Sequence, residues 1–129
     1  MNEYGFIKSV HRYLPPELFK WKIHDTFAGG VPDAFYAGPS GILFAEYKYV
    51  KQVPKRDSSV LKTSLSVQQK LWLDRMVDFN QRAVAIIGCE ESAIVIHNKE
   101  WNAPLFKSEY VKRAVSRKEV ADWIAGVCL

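Results

Sequence analysis

The chain has 129 residues, 48% of them hydrophobic and 13% aromatic, with a formal charge of +4 and a pI near 9.1. That length fits one domain over residues 1–129, and that apolar content supports a packed core and excludes disorder. No apolar run approaches the roughly 18–20 residues of a membrane span, the opening Met1-Asn2-Glu3-Tyr4 is too polar for a secretion signal, and Cys89 and Cys128 lack zinc-knuckle or disulfide-framework spacing. The expectations are an intracellular, cytoplasmic protein, no membrane partner, and two buried free thiols.

Residues 3–14 place Phe6, Ile7, Val10, Tyr13 and Leu14 at helical spacing until Pro15-Pro16 stops the pattern. Residues 18–24 alternate apolar and basic side chains, as a half-buried strand does. His24-Asp25 then offers a base or a phosphate contact, against the plainer reading of a polar pair closing a strand. Gly29-Gly30 breaks the chain and Pro32 fixes its re-entry. Asp33–Ala37 and Gly41–Val50 read as hairpin strands joined by Gly38-Pro39-Ser40-Gly41. Lys51–Leu65, polar and basic around Pro54, reads as an exposed, mobile loop. Ser66-Val67-Gln68-Gln69 is a capping box opening a helix that carries Leu71, Trp72, Met76 and Phe79, with Trp72 read as core rather than as a base-stacking platform. Ala83–Gly88 and Ala93–His97 read as buried strands, Glu90-Glu91 as the solvated turn between them, and His97 as a structural histidine. Ser108 and Ser116 are expected to cap two closing helices, Ser116-Arg117-Lys118-Glu119 being a second capping box, and Trp101 and Trp123 are candidates for a subunit interface. The order α-β-β-β-α-β-β-α predicts an α/β fold, a mixed sheet flanked by helices.

On a strand over Ile42–Lys48, Glu46 and Lys48 share one face, and the hairpin brings Asp33 to the same end. Two carboxylates and a lysine are the parts that phosphodiester hydrolysis needs. The acids are hard oxygen ligands for Mg²⁺, with Mn²⁺ as a substitute. The lysine orients or deprotonates the attacking water and stabilises the transition state. The plainer reading is a cross-strand ion pair with Asp33 capping a turn. From Lys48 to Lys70 the basic residues Lys48, Lys51, Lys55, Arg56, Lys62 and Lys70 meet a single acid, Asp57. Such a stretch suits a polyanion, and Lys51, Lys55, Arg56 and Lys62 are the candidates for tracking a DNA backbone.

The ordered set Gly30-Val31-Pro32-Asp33, twelve intervening residues, Glu46-Tyr47-Lys48, then a helix opened by Ser66 and Gln69, resembles the PD-(D/E)XK nuclease superfamily. That is the restriction-endonuclease-like fold, and within it the pattern is most similar to the VRR-NUC family, over roughly residues 3–97. The resemblance implies an αβββαβ core and an Mg²⁺-dependent endodeoxyribonuclease that leaves a 5′-phosphate. It assigns the metal to Asp33, Glu46 and the backbone carbonyl of Tyr47. Glu3 joins through water, unless it only complements the helix dipole. Gln69 steers the catalytic Lys48, although a capping box accounts for it equally, and Gln68 is its rival in register. Structure-selective cutting of branched or junction DNA is the favoured activity. A site-specific homing- or restriction-type endonuclease is the second reading, and an inactive DNA-binding module the third. Small size leaves little surface for base readout and points to a homodimer; the resemblance points to a bacterial or phage source.

Overall fold

Six strands form one mixed sheet in the order in which the chain supplies them, in a computed structural model that describes residues 1–25 and 27–129. Helix α1 (Glu3–His11) leads into the antiparallel strands β1 (Phe19–Lys22), β2 (Ala34–Gly38) and β3 (Gly41–Tyr49). Helix α2 (Val67–Asp78) crosses over to β4 (Ala83–Cys89), which runs parallel to β3. Strands β5 (Ser92–Ile96) and β6 (Val115–Ser116) then continue the sheet antiparallel, separated by a 3₁₀ turn (Glu100–Asn102) and α3 (Lys107–Arg113). Helix α4 (Arg117–Cys128) closes the chain. The expected αβββαβ core is α1 to β4. Among the described residues no helix is long and apolar enough to cross a membrane.

Local signals explain most of the ends. The Asn2 side chain accepts the Gly5 N–H at 2.8 Å and opens α1. Both capping boxes form, Ser66 with Gln69 and Ser116 with Glu119. Gly38 and Gly41 face each other across the hairpin. Gly41 has a φ of +142°, and a Cβ on Gly38 would stand 2.5 Å from the Cys128 carbonyl oxygen, so only glycine fits that approach.

Five expectations need correction. Helix α1 ends at His11 rather than 14, leaving Tyr13 exposed while Leu14 stays buried beyond the turn. Strand β1 is exposed along its whole length, because it is an edge strand. Helix α2 turns Trp72, Leu73, Met76 and Val77 inward and leaves Leu71 and Phe79 in solvent. Ser108 caps nothing, since a bridge between Val60 and Phe106 keeps the chain extended until Lys107 starts α3. Trp101 is buried, its indole N–H donating to Asp74 at 2.8 Å, and so belongs to the core rather than to a subunit interface. Trp123 is half-buried against the other face of the sheet. The 51–65 loop is exposed as expected and is tied down in its second half. Leu61 is buried with its N–H on the Leu105 carbonyl at 2.8 Å, and the Lys107 N–H donates to the Ser59 carbonyl at 2.8 Å. Cys89 and Cys128 are buried free thiols, and His97 is exposed 3.9 Å from Glu100.

The sheet has a core on each face. Phe6, Ile7, Val10, Tyr47, Ile86 and Ile124 pack α1 and α4 on one side. Leu61, Leu73, Ile87, Ile94, Trp101 and Tyr110 pack α2, the loop and α3 on the other. Strand β4 is buried at every position and reads as an unbroken apolar run because both its faces are covered. Helix α1 comes close to β4 because residue 88 is glycine: a Cβ there would lie 2.5 Å from Phe6 Cζ. The Phe6 ring is fully buried and edged against Tyr47, with centroids 5.6 Å apart, so it has little room to yield. Gly88→Ala is therefore expected to destabilise the fold by about 1–3 kcal/mol through overpacking. Urea denaturation measures it; an unchanged midpoint would show that Phe6 repacks without cost.

Candidate active site

Strand β3 sorts its side chains by the pleat. Leu43, Ala45 and Tyr47 enter the core under α1 and α4, so Phe44, Glu46 and Lys48 face the side that α2 covers. The β2–β3 register pairs Ala34 with Ala45, which brings Asp33, one residue before β2, opposite Glu46. Asp33 Oδ2 accepts the Tyr47 N–H at 2.8 Å and so continues the ladder with a side chain. In an extended strand the N–H and C=O of one residue point to the same edge, so the Tyr47 carbonyl faces Asp33's side. Strand β1 adds Lys22, whose Nζ lies 3.8 Å from Asp33 Oδ1.

Glu46 is only 2% exposed; its Oε2 stands 3.8 Å from Lys48 Nζ, and its Oε1 has no hydrogen-bond partner. Burial, then the charge of the adjacent Asp33, push its carboxyl up to about 9, against the opposing pull of Lys48. Glu3, half-buried at the start of α1, feels the same group of charges. Burial raises its pKa first, Lys48 and Lys22 pull it down, and Asp33 pushes it up. Among the described residues no three side chains of the His, Cys, Asp and Glu kinds are grouped closely enough to hold a metal directly. Two acids with an unpartnered buried oxygen nevertheless fit a hard divalent cation, which would satisfy both at once.

The approach to Asp33 is set by glycine. Gly30 has a φ of +82°, and a Cβ on it would stand 2.5 Å from the Gln68 carbonyl oxygen, so the Gly-x-Pro-Asp segment lies on the first turn of α2. The Gln68 side chain rests against Gly29. Gln69 accepts the Ser66 N–H at 2.9 Å while its own N–H donates to Ser66 Oγ at 3.1 Å, so its hydrogen bonds are those of the capping box. Lys51, Lys55, Arg56 and Lys62 are all exposed on the loop that leaves the Lys48 end of β3. Lys107 holds Asp57, the acid of that loop, at 3.1 Å.

Several features have no counterpart in the sequence reading. His11 Nε2, the Tyr36 hydroxyl and the Tyr47 hydroxyl form a chain of hydrogen bonds, 2.7 and 2.6 Å, beneath the site. Burial, then Lys20 and Lys22, lower the His11 ring to about 4, so it is neutral. No spacing rule links residues 11, 36 and 47. Lys22, by contrast, was visible as a basic position in the alternating 18–24 segment. Asp25, at the end of that segment, accepts the Phe27 and Ala28 N–H groups at 2.7 and 3.2 Å, so its carboxylate is engaged with the backbone that follows β1. A cavity of about 700 Å³ lies at the opposite end of the sheet beside Arg82, His97 and Trp123, away from the carboxylates.

No protein-family profile and no curated protein matches the sequence. Among solved structures, that of Hjc, a Holliday junction resolvase from the archaeal hyperthermophile Archaeoglobus fulgidus, superposes with a TM-score of 0.56 at 14% identity, over 95% of this chain and 97% of that one. At that identity the likeness carries the architecture and not the residues. The chain thus has the resolvase-type, restriction-endonuclease-like fold that its sequence pattern predicts.

Proposed function

We propose that the chain is a metal-dependent DNA endonuclease of the PD-(D/E)XK kind, VRR-NUC-like in its motif, that cuts branched DNA and leaves a 5′-phosphate. The observation that carries this reading is the Glu46 carboxyl, buried beside Asp33 with one oxygen unpartnered and a lysine at its other oxygen. Asp33, Glu46 and the Tyr47 carbonyl would hold Mg²⁺ or Mn²⁺, with Glu3 reaching it through water. When bound, such an ion supplies Lewis acidity and lowers the pKa of water. Lys48 orients the attacking water and sets positive charge where the phosphate gains negative charge. Lys51, Lys55, Arg56 and Lys62 take the flanking phosphates. Gln69 keeps a lone pair and both amide protons beyond the capping box, and these are what it would bring to Lys48. The fold shared with a Holliday junction resolvase supports branched DNA as the substrate, and the small size of the chain favours a homodimer as the working form, one site for each of two strands. A four-way junction compared with a supercoiled plasmid tests this: cutting confined to the junction supports it, and discrete plasmid fragments would mark a site-specific cutter instead.

Asp33→Asn, Glu46→Gln and Lys48→Ala are each expected to slow junction cleavage by about a hundredfold or more, roughly 3 kcal/mol of transition-state stabilisation, with circular dichroism unchanged. Glu3→Gln should raise the Mg²⁺ concentration needed for half-maximal rate. Near-normal turnover by folded Lys48→Ala protein would refute the assignment.

Mn²⁺ should replace Mg²⁺, whereas Ca²⁺ should support binding with little cutting, since it satisfies oxygen ligands but is the weaker Lewis acid. Full activity in excess EDTA would remove the reading.

The metal-free protein should also report on Glu46 through pH. The folded pKa of about 9 exceeds the ordinary 4.5, so the folded state binds the proton more tightly. The stability this contributes is complete below about 4.5 and is lost as pH rises through about 9. In EDTA the melting temperature should therefore fall over that window, and Glu46→Gln should flatten the fall. Identical profiles for the two proteins would show that Glu46 is not the group responsible.

A further inference from the structure

The sheet face that carries Glu46 and Lys48 continues away from α2 as a run of aromatic rings. Trp72 packs on Phe44 with centroids 5.1 Å apart, Phe44 on Phe35 at 5.2 Å, and Phe35 on Trp21 at 6.3 Å. Phe44 lies two residues before Glu46 on the same face, so the run begins beside the carboxylates. At β1 the run reaches solvent, where Trp21 is 53% exposed. A cleft of about 390 Å³ opens there between Trp21, Ile23, His24, Phe27, Val31 and Phe44, a volume within the range of small-ligand sites, roughly 300–1,000 Å³. Phe27 stands 99% exposed at its rim, its N–H held by the Asp25 carboxylate at 2.7 Å. The cleft wall is tied to the catalytic acid, since the Ile23 N–H donates to the Asp33 carbonyl at 2.7 Å.

We propose that this cleft is a base-stacking subsite, in which a nucleobase displaced from its pair at a branch point stacks on Phe27 and Trp21 while its phosphate reaches Asp33 and Glu46. The inference rests on the nuclease reading above and names what that reading leaves open, the feature that marks a branch. An intact duplex offers a protein phosphates and base edges, and only an unpaired base offers a ring face. Charge favours nucleic acid over a second copy of the chain as the occupant. Strand β1 carries Lys20 and Lys22 within its four residues, and pairing this edge with its own copy would crowd like charges. Lys20 and Lys22 alternate to the face of β1 opposite Trp21, where phosphates of a strand rounding this edge would meet them.

The test uses a duplex bearing one unpaired 2-aminopurine and its fully paired counterpart, both bound by the full chain in Ca²⁺. The expected result is quenching of the unpaired base and tighter binding of the bulged duplex. Phe27→Ala and Trp21→Ala should each lose the quenching and roughly tenfold of the preference, with paired-duplex binding and sedimentation mass unchanged. Phe27→Trp should restore both. Phe27 is almost wholly in solvent, so its replacement leaves the core untouched. Unchanged preference in the alanine variants would overturn the subsite while leaving the nuclease reading intact. A fall in sedimentation mass in those variants would overturn it too, by making the cleft a contact between copies. Quenching by a wild-type protein that cuts no DNA in Mg²⁺ would uphold the subsite and sink the nuclease reading.

Discussion

A carboxyl group closed off from water on a central strand, beside a second acid and with one oxygen unpartnered, is costly to fold around, and Glu46 is such a group. Three features limit that cost. Lys48 lies on the same strand face, the proton stays on far above the ordinary carboxylate range, and Asp33 turns one oxygen to the Tyr47 N–H rather than to Glu46 alone. None of these satisfies Oε1. A cation held by both acids would have to displace the proton that steadies the metal-free fold.

The rest of the chain holds this arrangement from three directions. From below, the neutral His11 ring and the Tyr36 and Tyr47 hydroxyls tie α1, β2 and β3 together under the Glu46–Lys48 segment. From one side, α1 settles on β4 where Gly88 leaves space for Phe6, which carries Glu3 up to the charges of Asp33 and Lys48. From the other, Gly30 lets the backbone touch Gln68 at the start of α2, which aims the turn into Pro32-Asp33. Both glycines serve close approach, one of a ring and one of a main chain, so a methyl group at either would move a side chain of the candidate site.

The likeness to Hjc extends over nearly the whole of both chains and carries the architecture. Any chemistry of the site would rest on Asp33, Glu46 and Lys48 themselves. Around them the surface is uneven. Exposed cations occupy the loop beyond β3, and exposed aromatic rings occupy the bare edge at β1. A duplex backbone and an unpaired base would meet different sides of the same two carboxylates.

Much of this was legible in the sequence because its causes are local. A strand's period of two puts Glu46 and Lys48 on one face wherever the strand goes. Ser66 with Gln69 and Ser116 with Glu119 close their boxes within a single turn of helix. Glycines at 38 and 41 bracket the hairpin, and the glycine, proline and acid before β2 place Asp33 at its mouth. The misreadings concern what each element meets. Leu71 and Phe79 are apolar at helical spacing, yet the α2 stripe that faces the sheet runs through Leu73 and Val77. Ser108 is a good capping residue whose place is taken by an extended chain pairing with Val60. Trp101 looked like an interface residue until Asp74, from a different helix, supplied its hydrogen-bond acceptor. Lys22 beside Asp33, and the chain from His11 to Tyr47, depend on which strands became neighbours. Sequence alone thus determined the two capping boxes, the hairpin and the candidate catalytic residues, since backbone periodicity and capping act over a few residues. Tertiary structure decided which of those residues are buried, what shifts their protons and which apolar faces stay bare, because burial and charge depend on partners distant in the chain.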